Sequence, residues 1–500
     1  MTFFKSIFPR QSVLKMVLLL AGFAIPSWMA AQADEKPQLS DKVSEQVAAL
    51  GKMLNDKQYD QLVDAVDKLI AQAKPNSFDI AYLSQMKVQA YLYKSAYAAA
   101  IAPLETALSL SERYKYFEKR GELELRWLLA QLYAQEAAME KNPEVKRAKY
   151  NKAYETVRQW LNETPKPTVE ALLFSASILY SQATDNADTP DLARLALAEN
   201  ECRKGLLLEV KPREQLYTLL IATLQVQSQA LMVEAEKDEK AGKDSAAEKK
   251  AQGVAKLMEA SKYLELLVQQ NPNNSQYWGQ LLNPYLIQAE SLKEGTLQRQ
   301  DAYAKAIITI ERAQKAGFLK TPEDYFRLVG IYFNSNQFEG AIDLLESGLR
   351  DGRIEPTQKN WEMLAQTYVQ IKDEKKALNS YKEIAKMFPK EGTIDMQIGN
   401  LLYNLDNYPE ALKYMQSAVD KGVPRPGPLQ FFIAYLMFEL KQLDDAKAAV
   451  DKALTLAPES REAKDLKQAI DDAIKDRDAR LNRNQPQQAT AASKPTNKQA

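Results

Sequence analysis

Few side chains in this sequence have the chemistry of a catalytic or metal-binding site. The 500 residues contain no histidine and a single cysteine, Cys202. A Ser-His-Asp triad, a histidine general base and the common histidine-containing zinc sites are therefore excluded, as is a disulfide within the chain. Cys202 falls where the helical pattern of its segment requires an apolar residue, so we expect it to be a buried packing group.

Paired acidic residues are the remaining candidates for acid–base chemistry, and their spacing argues against that role. Asp444–Asp445 and Asp471–Asp472 are sequence neighbours, which point in different directions on a helix, so we expect them to be solvated. Gly242–Lys243 lacks the hydroxyl residue and the earlier glycine of a phosphate-binding loop. We predict that the chain is no enzyme and has no catalytic residue, metal or cofactor.

Amide and aromatic side chains are better candidates for function, because they suit the binding of another polypeptide. Asn and Gln side chains can bond both the N–H and the C=O groups of an extended peptide, and aromatic rings often anchor interfaces. For the aromatic residues, packing in the core is the alternative, and for the amides it is ordinary solvation. We predict a partner-binding groove lined by Phe326, Phe333, Gln366, Gln370, Met396, Asn400, Tyr403, Asn404, Phe431 and Tyr435.

Two kinds of ligand are disfavoured at this groove. Repeat domains that hold a C-terminal carboxylate use Lys, Arg and Asn, and here only Asn400 matches, while Glu362, Met396 and Phe431 stand where a positive charge is needed. Lys plus Arg and Asp plus Glu both total 66, so no excess of positive charge is present to hold a nucleic acid. We expect protein partners and no nucleic acid.

The elements that position these residues are predicted from an internal repeat. Five small residues recur at spacings of 35, 36, 34 and 35, the period of the tetratricopeptide repeat (TPR), which is a helix-turn-helix unit. They are Ala306, Ala341, Ala377, Ala411 and Ala446. Gly accounts for 17 residues of 500, and Ala, Leu, Lys, Glu and Gln favour helix. We predict an all-α TPR solenoid of about ten repeats.

The clearest repeat extends from Gln358 to Glu391. Its first helix has Trp361, Leu364, Ala365 and Tyr368 at helical spacing, its second has Ala377 and Tyr381, and Pro389 ends it. Large side chains at this spacing fill the space between helices, and small ones let two backbones approach closely. In such a stack the first helix of each pair lines the concave face, which is why the groove residues are assigned to first helices.

The predicted organisation has four parts. Residues 1–33 are read as a signal peptide, with Lys5, Arg10 and Lys15 before an apolar run and Ala31-Gln32-Ala33 before cleavage at Asp34; a retained membrane anchor is the alternative. Residues 34–257 are divergent TPR-like repeats with a charged helical insertion at 228–256, turning near Gly242. Residues 258–481 are the C-terminal solenoid with a capping helix from Glu459, and residues 482–500 are a disordered tail.

One stretch of the C-terminal half resembles a known family. Ala316-Gly317-Phe318-Leu319 precedes a repeat that is closed by Gly348-Leu349-Arg350-Asp351-Gly352-Arg353-Ile354. With NNSQYWGQLLNPYL upstream and NWEMLAQTYVQ downstream, residues 258–460 resemble periplasmic TPR proteins encoded beside Ton-type energy-transduction systems. The resemblance implies an accessory of TonB-dependent transport whose partners are transducer or motor subunits. The insertion departs from the family pattern.

Two functional hypotheses follow from these observations. In the first, the chain is a periplasmic protein–protein scaffold without a stable membrane span once the leader is cleaved, and it serves a Ton-type system. In the second, it is a solenoid associated with glycan or cell wall that grips polysaccharide through its aromatic and amide residues during envelope assembly or polysaccharide export.

Overall fold

The computed structural model describes residues 37–186 and 188–483, and every regular element in these ranges is an α-helix. The predicted signal peptide, residues 1–33, lies outside the described residues. So does most of the tail predicted at residues 482–500, of which only residues 482 and 483 are described, and these belong to the last helix. The chain divides into two compact units between Ser291 and Leu292. The predicted division at residues 257 and 258 stays a prediction.

Unit 1 contains eleven helices among its described residues. They are α1 (Asp41–Asn55), α2 (Tyr59–Ile70), α3 (Phe78–Tyr93), α4 (Tyr97–Tyr114), α5 (Lys119–Met139), α6 (Pro143–Glu163), α7 (Val169–Ala183), α8 (Leu192–Leu208), α9 (Glu214–Lys240), α10 (Ser245–Gln270) and α11 (Ser275–Ser291). Consecutive helices pack against one another from α1 to α11. The longest of them, α9 and α10, are joined by a turn at Gly242, a residue with φ of +67°. This turn lies within residues 228–256, whose assignment as an insertion stays a prediction.

Unit 2 contains ten helices among its described residues. They are α12 (Leu297–Lys315), α13 (Pro322–Asn334), α14 (Phe338–Asp351), α15 (Gln358–Gln370), α16 (Glu374–Met387), α17 (Gly392–Asn404), α18 (Tyr408–Lys421), α19 (Pro426–Glu439), α20 (Leu443–Leu456) and α21 (Arg461–Arg483). With 21 helices in the described ranges, the predicted all-α TPR fold with about ten repeats is confirmed.

The recurring alanines lie where two helices of a pair meet. Ala341, Ala377, Ala411 and Ala446 are each 0% exposed on α14, α16, α18 and α20, the second helices of four successive pairs. Tyr381, Ile384, Ile398 and Met415, among others, fill the space around them in one continuous core. A larger side chain at an alanine position would hold the two backbones apart.

The turn from first to second helix has the same geometry in at least six repeats. One residue per turn has left-handed backbone torsions, with φ between 57° and 61°, and the following N–H donates to a carbonyl five residues back, as in a Schellman motif. At Lys372, for example, the next residue's N–H bonds the Tyr368 carbonyl at 2.9 Å. The other five are Lys57, Ser95, Asn336, Asp406 and Lys441. Each second helix therefore returns along its partner at a similar angle.

The connector that closes the α14 repeat has a physical basis in the structure. A Cβ atom at Gly348 would lie 2.8 Å from the Ile354 side chain, which is 1% exposed, and the Ile354 N–H donates to the Gly348 carbonyl at 2.9 Å. Gly352 between them has φ of +80°, a conformation that costs glycine little. These three residues fold the connector back onto the end of α14.

The last helix, α21, covers the end of unit 2. Its Ala463 and Ile470 are 1% and 0% exposed, and it packs on both α20 and α19. Charged residues along its outer edge pair with α20, including Lys447 with Asp471 at 2.7 Å and Arg477 with Asp444 at 2.6 Å. The predicted capping helix is thus present, as solenoids require at an exposed end.

Two glycines of unit 2 give a test of close packing. At Gly392 a Cβ would meet the backbone carbonyl oxygens of Gly422 and Ala418, the latter at 2.7 Å, so Gly392→Ala is expected to lower the free energy of unfolding by about 1–3 kcal/mol. At Gly330, within α13, nothing lies within 4 Å of the position that an alanine methyl group would occupy. Gly330→Ala is expected to raise stability by up to about 1 kcal/mol.

Urea unfolding followed by circular dichroism would measure both variants. An equal effect of the two substitutions would contradict the close contact between the N-terminus of α17 and the C-terminus of α18.

Candidate functional site

The ten predicted groove residues all lie on first helices of unit 2. Two lie on α13, two on α15, four on α17 and two on α19, which are the helices that precede each Schellman turn or its equivalent. None of the ten is fully buried. The structure therefore places them as the repeat register predicts, while their role in binding a partner stays a prediction.

Their exposure divides them into two groups. Gln366, Gln370 and Asn404 are exposed, and the other seven are partly buried. The partly buried apolar members, such as Phe326, Met396 and Phe431, pack with one side against the core of unit 2. The set therefore combines fixed apolar surfaces with amides that are open to solvent.

Two of the predicted residues meet in an aromatic cluster, which consists of Tyr403, Tyr408, Phe432 and Tyr435. The Tyr403 ring lies 5.4 Å from Tyr408, 5.0 Å from Phe432 and 6.2 Å from Tyr435 between centroids. Phe432 and Tyr435 are stacked at 6.3 Å. All four rings are partly exposed. Aromatic pairs at such distances stabilise one another beyond the area they bury, so the cluster is a stable platform beside the predicted groove.

Tyr408 and Phe432 were not among the predicted site residues. Tyr408 begins the second helix α18, five residues after Tyr403, and the same five-residue spacing recurs where Phe333 and Phe338 meet at 5.8 Å. Two aromatic residues five positions apart, on either side of the turn from first to second helix, are visible in the sequence. This spacing could have identified Tyr408 as a neighbour of Tyr403. Phe432 is next to Phe431 on α19 and reaches Tyr403 through helix packing, which no spacing within one repeat predicts.

Negative charges next to the cluster act on its phenols. The Tyr408 hydroxyl donates to Asp406 at 3.3 Å, and burial together with the charge of Asp406 raises the pKa of Tyr408. A hydrogen bond with Tyr403 is the main cause that raises the pKa of Tyr435 to about 12, with burial and the charge of Glu439 adding to it. The cluster therefore lies in a negative local potential.

One predicted groove amide, Gln366, contacts a buried tyrosine on the second helix of its repeat. Gln366 on α15 is hydrogen-bonded to the hydroxyl of Tyr381 on α16, while burial and the charge of Glu362 raise the pKa of Tyr381 to about 12. The Tyr381 ring is 2% exposed. Gln366 is thus held by the core at one end and remains exposed, which gives it a defined orientation for a ligand.

The residues considered for catalysis are buried in the core or paired with cations in the structure. Cys202 on α8 is 0% exposed, and burial raises the pKa of its thiol to about 12, so the prediction of a buried packing group is confirmed. Asp444 and Asp471 belong to the ion pairs between α20 and α21. Within the described ranges, no group of three or more acidic or cysteine side chains is arranged to hold a metal ion.

One helix of the described chain, α9, is long and apolar enough by length and composition to cross a bilayer. Of the window that meets this test, 56% is buried inside the protein, as in the core helix of a repeat stack. Its Leu219, Leu220, Ile221 and Leu224 are at most 2% exposed, since α8 and α10 cover them.

Comparison with known proteins agrees with the repeat geometry. Residues 359–391 match the tetratricopeptide-repeat family, and this segment coincides with the repeat predicted between Gln358 and Glu391. Tetratricopeptide repeat protein 21B of Mus musculus is 27% identical over 105 residues, and its Homo sapiens counterpart is 28% identical over 96 residues. These matches cover 21% and 19% of this chain, but only 8% and 7% of those proteins.

Two solved structures show some likeness to the chain. YrrB, described as a TPR protein with an unusual peptide-binding site, has a TM-score of 0.29 and 17% identity, covering 42% of this chain and all of that one. Yeast Tom70 has a TM-score of 0.28 and 13% identity, covering 89% of this chain and all of that one. These TM-scores are too low to support any argument about function.

The helix pairs, their turns and the matching repeat define the class of this molecule. The chain has the all-α tetratricopeptide-repeat fold, and residues 359–391 match that family. Proteins of this class bind protein partners and are generally non-enzymatic scaffolds, which agrees with the amide and aromatic surfaces of unit 2.

The pKa of Tyr435 gives a test of the electrostatics of the aromatic cluster. Because the pKa is raised, the neutral phenol stabilises the fold below pH 10, the ordinary value, and this contribution is lost as pH rises through about 12. Glu439→Gln removes one cause and is expected to lower the pKa of Tyr435. Nuclear magnetic resonance of tyrosine labelled at Cζ, assigned with Tyr435→Phe, would measure it. An unchanged pKa in Glu439→Gln would show that Glu439 does not act on the cluster.

Proposed function

We propose that the protein is a scaffold that binds extended segments of partner proteins along the first helices of unit 2. The observation that carries this proposal is the recurrence of exposed amides on α15 and α17 beside partly buried rings on α17 and α19. Gln366, Gln370 and Asn404 supply donors and acceptors for a peptide backbone. Tyr403 and Tyr435 supply aromatic surface that is already fixed by packing, so little entropy is lost on binding.

Amide recognition suits a partner that lacks its own secondary structure at the contact. An extended segment has free N–H and C=O groups at regular spacing, and it can pair with amides that recur from one repeat to the next. In the described chain the side-chain amides of Gln370 and Asn404 have no hydrogen-bond partner and are exposed. Binding therefore does not first have to break a bond within the protein.

The finer proposal is an accessory role in Ton-type energy transduction. It is supported by the resemblance of residues 258–460 to periplasmic TPR proteins of that kind, and by the Gly348–Ile354 connector that folds onto α14 as a distinct structural feature. The partners would be a transducer, its motor subunits or a receptor, each of which presents segments to the periplasm.

A periplasmic location is part of this proposal and has its own test. With a single buried cysteine, the fold needs no disulfide in an oxidising compartment. Cell fractionation followed by N-terminal sequencing of the tagged protein is expected to find it in the periplasm beginning at Asp34. Recovery from the membrane fraction with the leader intact would instead support the retained anchor, and recovery from the cytoplasm would exclude the periplasmic role.

The partner can be captured by site-specific photo-crosslinking in living cells. A benzoylphenylalanine at Asn404, exposed beside the predicted groove, is expected to form adducts with a Ton-type transducer, motor subunit or receptor, identified by mass spectrometry. The matched control places the same residue at Lys413, which is also exposed but lies on the second helix α18. Adducts should be absent or different there.

Two outcomes would contradict the proposal. Identical adducts from both positions would show that the first-helix surface has no special role. Co-sedimentation with cell-wall material, without any protein adduct at position 404, would favour the glycan-associated alternative.

A further inference from the structure

Two carboxylates beside the aromatic cluster have no cationic partner in the described part of the chain. Asp406 and Glu439 are both exposed, and their charges reach the phenols of Tyr408 and Tyr435. Some acids of unit 2 are paired, such as Asp395 with Lys421 at 2.6 Å, but Asp406 and Glu439 are not. The negative charge at the cluster is therefore not balanced by a cation from within the described chain.

Elsewhere in unit 2, several tyrosine rings have a cation over them. Arg353 lies 5.2 Å from the centre of the Tyr325 ring, Lys376 lies 5.4 Å from Tyr368, and Lys382 lies 5.9 Å from Tyr414. In the described residues no lysine or arginine lies over any of the four cluster rings.

The lysine of the neighbouring turn does not lie over the cluster rings either. Lys441 lies 5.5 Å from the centre of the Phe438 ring, which is not part of the cluster. The faces of aromatic rings attract cations through their negative quadrupole. The cluster thus combines two features that attract a cation, namely ring faces and carboxylates without a cationic partner, and no cation from the described part of this chain occupies it.

We propose that the aromatic cluster, together with Asp406 and Glu439, binds a lysine or arginine side chain of the partner segment. This inference rests on the proposed function, because the basic side chain belongs to a segment that lies along the first helices of unit 2. Tyr403 is on α17 and Tyr435 on α19, so the basic residue would sit where the segment passes from one repeat to the next.

Other side chains of a partner would fit this position less well. An acidic residue or a terminal carboxylate would be repelled by Asp406 and Glu439, in agreement with the absence of a carboxylate clamp at Glu362, Met396 and Phe431. An apolar residue could contact the rings but would gain nothing from the two charges. A basic residue uses both, since its charge meets the carboxylates and its aliphatic stem covers the rings.

Panning of a random peptide library displayed on phage would test this preference without a known partner. The purified protein is expected to enrich peptides that share a lysine or arginine, and the best peptide, made synthetically, should lose about tenfold in affinity when that residue is replaced by norleucine. Glu439→Lys should cause a similar loss. The matched control Glu339→Lys makes the same charge change at an exposed position of α14 and should leave affinity nearly unchanged.

The outcomes separate this inference from the proposed function. Peptides that depend on Gln366, Gln370 and Asn404 but share no basic residue, and bind Glu439→Lys as well as the original protein, would overturn the inference and leave the scaffold intact. Failure to enrich any peptide that depends on these amides would overturn both. Equal losses from Glu439→Lys and Glu339→Lys would show a general effect of net charge and would also overturn the inference. Circular dichroism of each variant confirms that it is folded.

Discussion

Close approach of neighbouring helix backbones is the constraint on which the rest of this structure depends. It requires a small residue once per repeat, and Ala341, Ala377, Ala411 and Ala446 meet that requirement with no exposed surface. Once two helices touch at such a point, the large residues one turn away interdigitate, and the Schellman turn fixes the angle of return. The groove residues gain their positions from this spacing, because a side chain on a first helix can face a partner only if its own second helix lies close behind it.

The aromatic cluster shows how packing and recognition share the same residues. Tyr403 stacks on Tyr408 across a turn and meets Phe432 and Tyr435 from the next repeat. These contacts help to hold two repeats in register, and they also leave ring surface partly exposed. A groove made in this way is rigid before any partner arrives, so its specificity depends on the charges around it more than on rearrangement. One repeat earlier, Gln366 is likewise oriented by a contact with a core residue, Tyr381, while it remains exposed.

The sequence predicted the fold well because its period is carried by small residues that tolerate no substitution by larger ones, and the repeat at 358–391 could be placed to within a residue. The repeat register also predicted that Gln366, Asn400 and Tyr403 lie on the first helices of their repeats. It did not predict Phe432 in the cluster, since that contact depends on the angle between successive repeats. Nor did it predict that Asp406 and Glu439 would be without cationic partners in the described chain, because ion pairing between long side chains is decided by local geometry that spacing does not encode.

The burial of Cys202 has a practical consequence for work on this molecule. Burial raises the pKa of its thiol to about 12, so the reactive thiolate is scarce at neutral pH, and the group is enclosed within unit 1. Maleimide dyes and thiol-reactive spin labels should therefore leave the native chain unlabelled. Any cysteine introduced on its surface would be the sole reactive handle, so fluorescence or electron paramagnetic resonance probes could be attached one at a time without first removing the natural residue.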